Sequence, residues 1–362
     1  MELIRVGDRG EAVRDVQHRL LDAGHRVQPD ELDGSFGPAT RAAVQAFQRA
    51  RGLPPDGIVG PDTWAQLVEA GYRIGDRTLY LRSPAFRGDD VRELQRMLNA
   101  LGFDVGKEDG IFGPRTTRGV REFQLNVGAK VDGIVGLDTV RSLEGMRPTV
   151  AGPSRALVRE AEAARRMGIA LAGSTIAVDA GHGPSDPGLE VGGIVEAEIA
   201  SRVAECLAAE LERRGARAVP LRPAGRDVEL ADRVRRANTS DAALCVSLHL
   251  GGGELAAAGV VCCYYGTPST HSPMGLLLAA SIRDHLLRIG LPDGGVHPLA
   301  ISILRETRMP AVQVELAVVA NPAEVRAVRD PTFAPRAANA IADGVEVFLG
   351  AGRPSQVGAV VR

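Results

Sequence analysis

The chain has 362 residues, 44% of them hydrophobic and 24% charged, a composition that supports packed cores in more than one domain and excludes a disordered protein. Lys plus Arg number 43 against 45 for Asp plus Glu, so the formal net charge of -2 offers no basic field to nucleic acid or anionic lipid. No apolar run reaches bilayer length and MELIRVGDRGEAVRD lacks the pattern of a secretory signal, so no membrane span and a cytoplasmic location are expected unless another route leads to the wall or the exterior.

From the N-terminus, the first pattern is a repeat. DGSFGPATRAAVQAFQ from Asp33 recurs as DGIFGPRTTRGVREFQ from Asp109, an offset of 76, and DGIVGPDTWAQL from Asp56 recurs as DGIVGLDTVRSL from Asp132 at the same offset. Val13, Gln17 and Leu20 match Val91, Gln95 and Leu98 at 78, so the first copy carries two extra residues between Gly24 and Asp33. Each copy reads as three helices: Val13 to Ala23 or Val91 to Ala100, Pro38 to Ala50 or Pro114 to Asn126, and Pro61 to Glu69 or Leu137 to Leu143. Pro38, Pro61 and Pro114 sit where a first helical turn tolerates proline, and Val44 with Phe47 and Val120 with Phe123 are apolar pairs on one helix face.

These modules, residues 5–72 and 79–147, resemble the peptidoglycan-binding domain family, whose DGxFGPxT, AVxxFQ and DGxVGxxT signatures occur twice. The resemblance implies contact with wall glycan or peptide. Taken singly, the glycines read as turn residues and Phe47 and Phe123 as core, and no binding residue is identified.

RPTVAGPS from Arg147 reads as a linker and Arg155 to Met167 as a helix, making 148–172 a connecting segment. Between 173 and 350, strands and helices alternate. Strands are expected at Thr175 to Ala180, Ala216 to Leu221, Ala242 to Leu248, Gly259 to Tyr265 and Ala311 to Leu316. Helices are expected at Val195 to Arg214, Val228 to Asn238, Met274 to Ile289 and in the closing stretch Pro331 to Leu349, with 351–362 a tail. Ile199, Val203, Leu207 and Leu211 line one face of the first long helix, with Glu210 and Arg214 paired on another. The fold class expected is two small all-α three-helix modules in tandem, followed by an α/β domain with a mostly parallel sheet covered by helices. Cys206, Cys245, Cys262 and Cys263 lie in this part; the adjacent pair should point to opposite faces of a strand, which argues against a disulfide framework.

TIAVDAGHGPSDPG, Thr175 to Gly188, reads as a buried strand entering a glycine-rich loop that presents His182 at the strand's C-terminal edge, where ligands collect in open α/β sheets. His249 ends the strand LCVSLH, and Glu196 starts the helix leaving the glycine loop. Two imidazoles and a carboxylate form the ligand set of a hydrolytic zinc site that keeps one position for water. Singly, His182 could cap backbone, His249 could be a satisfied strand-end histidine, and Glu196 could favour a helix N-terminus. Glu315 stands in MPAVQVELAVV, where Val312, Val314, Leu316 and Val318 claim the other face; it serves either as general base and acid or as an ion-pair partner of Arg305 or Arg308.

Taken together, these segments resemble the zinc-dependent N-acetylmuramoyl-L-alanine amidases of the amidase-3 type over almost all of 174–350. DAGHGPSDPG corresponds to the DPGHGG-type loop, GIVEAE to the GLxEK-type segment, SLHLG to the SIHxN-type strand end and PAVQVELAVVAN to PAVLVExGFxSN. The resemblance implies one zinc ion per chain held by His182, Glu196 and His249, with Glu315 catalytic and with Asp227, Arg233, Asn238, Gly259 and Tyr264 as further landmarks. It departs from the family at Ala180, Pro184, Gly251, Ala317, Val318 and Ala320, none of them an implied ligand. The implied activity is hydrolysis of the amide between N-acetylmuramic acid and L-alanine, with peptidoglycan or muropeptides as partner. The alternative is a cytoplasmic regulator with little turnover and a protein partner in wall-precursor synthesis.

Overall fold

A computed structural model describes residues 3–25, 32–146, 170–253, 255–268 and 270–350. The helix expected at Arg155 to Met167, nearly all of the connecting segment, the tail and most of the lengthened loop after Gly24 lie outside the described residues. The chain divides into two compact units, 1–160 and 161–362. No described helix is long and apolar enough to cross a membrane.

The first unit carries both repeats. Helices α1 (Glu11–Asp22), α2 (Pro38–Arg51) and α3 (Pro61–Glu69) surround Val16, Leu20, Val44, Phe47 and Leu67, and α4 (Asp89–Ala100), α5 (Pro114–Asn126) and α6 (Leu137–Gly145) surround Leu94, Leu98, Val120, Phe123 and Leu143. What fixes the loops between helices is a buried glutamine, used twice in each module. Gln48 donates to Asp56 Oδ1, Ile58 O and Thr63 Oγ1 at 2.7, 3.0 and 3.1 Å, while its Oε1 accepts from Gly57 N at 2.9 Å. Gln124 repeats this with Asp132, Ile134 O and Gly133 N, and Gln17 and Gln95 clamp the preceding loops at Gly34 and Gly110. A side-chain amide with two donors and two acceptor lone pairs matches a turn whose backbone groups would otherwise be buried unpaired. Between the modules, Arg51 at the end of α2 forks onto Asp89 at the start of α4, at 2.6 and 2.7 Å.

In the second unit the sheet order is β4-β1-β5-β8-β6-β7, formed by β1 (Thr175–Ala180), β4 (Arg217–Pro220), β5 (Leu244–Gly251), β6 (Val260–Tyr265), β7 (Asp293–Leu299) and β8 (Ala311–Val318). Within this six-stranded sheet only the β6 to β8 pairing is antiparallel. Helices α7 (Glu196–Arg213), α9 (Pro273–Arg288) and α12 (Phe333–Gly350) bury Leu207, Ile282 and Ile341 against one face, and α8 (Leu230–Thr239) and α10 (Ser302–Glu306) bury Val234 and Leu304 against the other. Strand alternation sorts side chains between these layers: Cys262 joins the first core and Cys263 the second, and none of the four cysteines is in a disulfide.

The structure differs from expectation in four places. Strand β5 runs on to Gly251, so His249 lies within the ladder instead of ending it, followed by a register shift. Strand β7, DGGVHPL, lacks the apolar alternation that marks a strand, and its proline is tolerated because β7 is an edge. A two-residue hairpin, β2 (Glu190–Val191) with β3 (Ile194–Val195), precedes α7. The short helices α10 and α11 (Pro322–Val328) carry too few residues for a periodic signal.

Gln48→Ala is expected to destabilise the first module by about 2–4 kcal/mol, because it strands Gly57 N–H and Ile58 C=O and opens a void. Trp64 is the chain's single tryptophan and lies in α3, so its fluorescence during urea unfolding of the full chain reports this module directly.

Candidate metal centre

The three predicted donors arrive from three elements at the C-terminal edge of the sheet. His182 follows β1 in the left-handed region, φ +60°, unusual for a residue with a side chain. Its Nδ1 lies 2.9 Å from Asp186 Oδ2, and since a carboxylate only accepts, Nδ1 carries a proton; Nε2, 3.2 Å from Glu196 Oε1, is then the nitrogen that would face a metal, giving up the proton it shares with Glu196 in the metal-free protein. Glu196 is the first residue of α7 and only 2% exposed. Its Oε2 accepts from Leu189 N at 3.0 Å, and its Oε1 accepts from Leu250 N at 3.1 Å and lies 2.9 Å from His249 Nδ1. The imidazoles meet edge to face, with centroids 5.1 Å apart.

One ligand atom from each of His182, Glu196 and His249 lies within 4.8 Å of the others, the only such grouping among the described residues. Ligands of a tetrahedral zinc ion stand about 3.3 Å from one another, so separations of 2.9 and 3.2 Å to Glu196 suit one ion held by Nε2 of His182, Nδ1 of His249 and the Glu196 carboxylate. Glycine is required beside this group: a Cβ on Gly188, φ +72°, would stand 2.6 Å from Glu196 Oε2 and 2.7 Å from His182 Cδ2.

Glu315 lies in β8 directly across from His249 in the parallel register, on the sheet face away from Val312, Val314 and Leu316. Its carboxylate rests against Gly251, where a Cβ would stand 2.5 Å from Oε2. The landmark residues serve the surroundings. Asp227 Oδ1 accepts from Ser185 N at 3.0 Å, and Asn238 ties α8 to Glu306 O and Arg308 N. Sequence reasoning passed over Asp186, although a carboxylate four residues after a loop histidine is a usable signal, and Arg222, whose setting in LRPAGR gave none. A cleft of about 520 Å³ lined by Pro184, Pro187, Ser201 and Arg222 opens along α7, but none of the three donors lines it.

Without metal, burial alone would raise the Glu196 pKa, but hydrogen bonds from both imidazoles outweigh it and hold the carboxyl far below its usual range. For His182, burial pulls downward and the carboxylates of Glu196 and Asp186 prevail, so its pKa is raised. A depressed carboxyl contributes stability above its unfolded value of 4.5 and loses it in acid; a raised imidazole contributes below 6.5 and loses it as pH climbs through the folded value. In chelator-treated protein the cluster is therefore expected to stabilise most between those values, and thermal melts across pH should show Glu196→Gln reducing the midpoint most inside that window.

Residues 176–347 match the family described as N-acetylmuramoyl-L-alanine amidase, and residues 9–67 and 87–143 match a peptidoglycan binding domain. The chain is 36% identical over 360 residues to N-acetylmuramoyl-L-alanine amidase CwlM of Mycobacterium tuberculosis, covering 95% of this chain and 88% of that protein. It is 35% identical over 162 residues to N-acetylmuramoyl-L-alanine amidase CwlL of Bacillus licheniformis, covering 39% of this chain and 45% of that protein. Among solved structures, N-acetylmuramoyl-L-alanine amidase AmiC2 of Nostoc punctiforme aligns with 49% of this chain and 97% of its own, at 27% identity and a TM-score of 0.45.

Proposed function

The chain belongs to the N-acetylmuramoyl-L-alanine amidase family, and from that membership we propose that it is a one-zinc hydrolase of the amide between N-acetylmuramic acid and L-alanine, in peptidoglycan or its fragments. The observation that carries the reading is the convergence of His182, Glu196 and His249 with Glu315 one strand away, opposite His249. Bound by the three donors, zinc supplies Lewis-acid polarisation to the scissile carbonyl and to a water molecule. The chain's own residues do the rest. Asp186 fixes the His182 tautomer, and the amides of Leu189 and Leu250 hold the Glu196 carboxylate in place. Glu315 takes the proton that the attacking water loses and delivers it to the departing alanine nitrogen, so that one carboxylate serves both transfers. The tandem modules are proposed to bind wall glycan or peptide and keep the hydrolase on its substrate.

Glu315→Gln should retain zinc and lose about 10²–10⁴-fold in turnover, whereas His182→Ala and His249→Ala should lose zinc itself. The measurement is release of free L-alanine amine from purified wall and from soluble muropeptides, alongside metal analysis. Zinc-loaded wild type that releases none from either substrate would refute the activity and leave the regulator reading standing.

A further inference from the structure

We infer that Arg233 and Arg222 are positioning residues for the metal centre: from beneath the His182 loop they hold its backbone in the one arrangement that lets three separate elements present their donors to a single ion. The inference rests on the metal reading above. Three successive carbonyls, of Ala180, Gly181 and His182, turn toward two guanidiniums that are only 4% and 8% exposed. Arg233 Nη2 donates to His182 O at 2.5 Å and its Nη1 to Ala180 O at 3.0 Å, while Nε is occupied by Val228 O at 2.8 Å. Arg222 Nε donates to the same Ala180 carbonyl at 2.9 Å, and its Nη2 to Gly181 O at 3.3 Å.

Each arginine also reaches a second donor-bearing element. Arg222 Nη2 donates to Ser201 Oγ at 2.7 Å, on α7, whose first residue is Glu196. Arg233 Nη1 lies 3.5 Å from Asp179 Oδ1, and Asp179 Oδ2 accepts from Ser247 Oγ at 2.8 Å, on β5, two residues before His249. The loop, the helix and the strand are thus tied together by contacts that use none of the three donor side chains. Clamping the His182 carbonyl also holds that residue at φ +60°, a conformation it would otherwise leave, carrying its imidazole with it.

Stability alone is a poor reason for this arrangement. Two like charges are buried side by side, and the only ion pair either makes among the described residues is the 3.5 Å contact of Arg233 with Asp179. Burial, followed by the neighbouring Arg233, lowers the Arg222 pKa, as expected for cations held mainly by neutral carbonyls. A planar fork can hold carbonyls that diverge, whereas an ammonium is a single point charge. Lysine should therefore preserve the charge and lose the function.

The test uses the full-length chain with metal removed and zinc restored in competition with a chromophoric chelator, in wild type, Arg233→Lys, Arg233→Gln and Arg222→Lys. Folding is verified by circular dichroism, and cobalt(II) absorption serves as a second readout of donor geometry. The expected result is zinc binding weakened by about 10–100-fold in each variant, with a changed cobalt spectrum and no rescue by lysine. Folded variants that bind zinc within about twofold of wild type with an unchanged cobalt spectrum would overturn the inference, whatever their melting temperature, since a purely structural role moves only the melt. If the arginine variants fail to fold, Ser247→Ala, which loosens only the Asp179 carboxylate behind Arg233, should still shift the cobalt spectrum, and an unshifted spectrum overturns the inference. Wild-type protein that binds no zinc refutes the metal reading itself, and this inference with it.

Discussion

A carboxylate 2% exposed and shared between two imidazoles is the constraint on which the second unit depends. Glu196 cannot be buried as an isolated charge, so every lone pair must find a donor. The imidazoles of His182 and His249 and the amides of Leu189 and Leu250 meet that need, and they come from the loop after β1, the segment leading into the hairpin, and the far end of β5. Fixing one oxygen pair therefore fixes the meeting point of loop, helix and strand. The short hairpin β2 to β3 follows from the same demand, because it turns the chain so that α7 begins with its first side chain pointing into the cluster.

The parallel sheet makes this meeting point possible. Strands β1, β5 and β8 run side by side in the same direction, so their C-terminal ends share one edge, and in-register pairing places Glu315 beside His249 without any long-range coincidence. Alternation then decides the face. Val312, Val314 and Leu316 go to the core under α7, α9 and α12, and Glu315 is left on the opposite side with His249. Gly251 completes the arrangement by leaving room for the Glu315 carboxylate where any side chain would displace it.

Much of this was legible in the chain because the signals were local. Glycine and proline around His182, the apolar run of β1, the four-residue spacing along α7 and the displaced copy of DGxFGP each reside in one window of sequence. Illegible features were those set by partners distant in sequence. The extension of β5 past His249 depends on the ladder with β8, and β7 is a strand because β6 offers it an edge, not because DGGVHPL favours one. Arg222 looks like any loop arginine until Ala180 and Gly181, about forty residues earlier, turn their carbonyls toward it. The buried glutamines fall between these cases: their recurrence at matched positions was visible, but their role as loop clamps needed the Asp-Gly turns in space.

The energetics bear on whether such a site would persist in a chain that used it only as a scaffold. Glu196 is buried and ionised, Arg222 and Arg233 are buried cations held mainly by carbonyls, and His182 occupies a backbone region that side chains disfavour. Each feature costs stability that apolar residues of similar size would not cost, and none of them belongs to the two apolar cores that flank the sheet. Local departures from stable packing gather where a fold does chemistry. Here they gather around one point, between three donors suited to a single divalent ion and one strand away from a carboxylate able to move protons. That concentration of cost favours a working hydrolase over a retained shape.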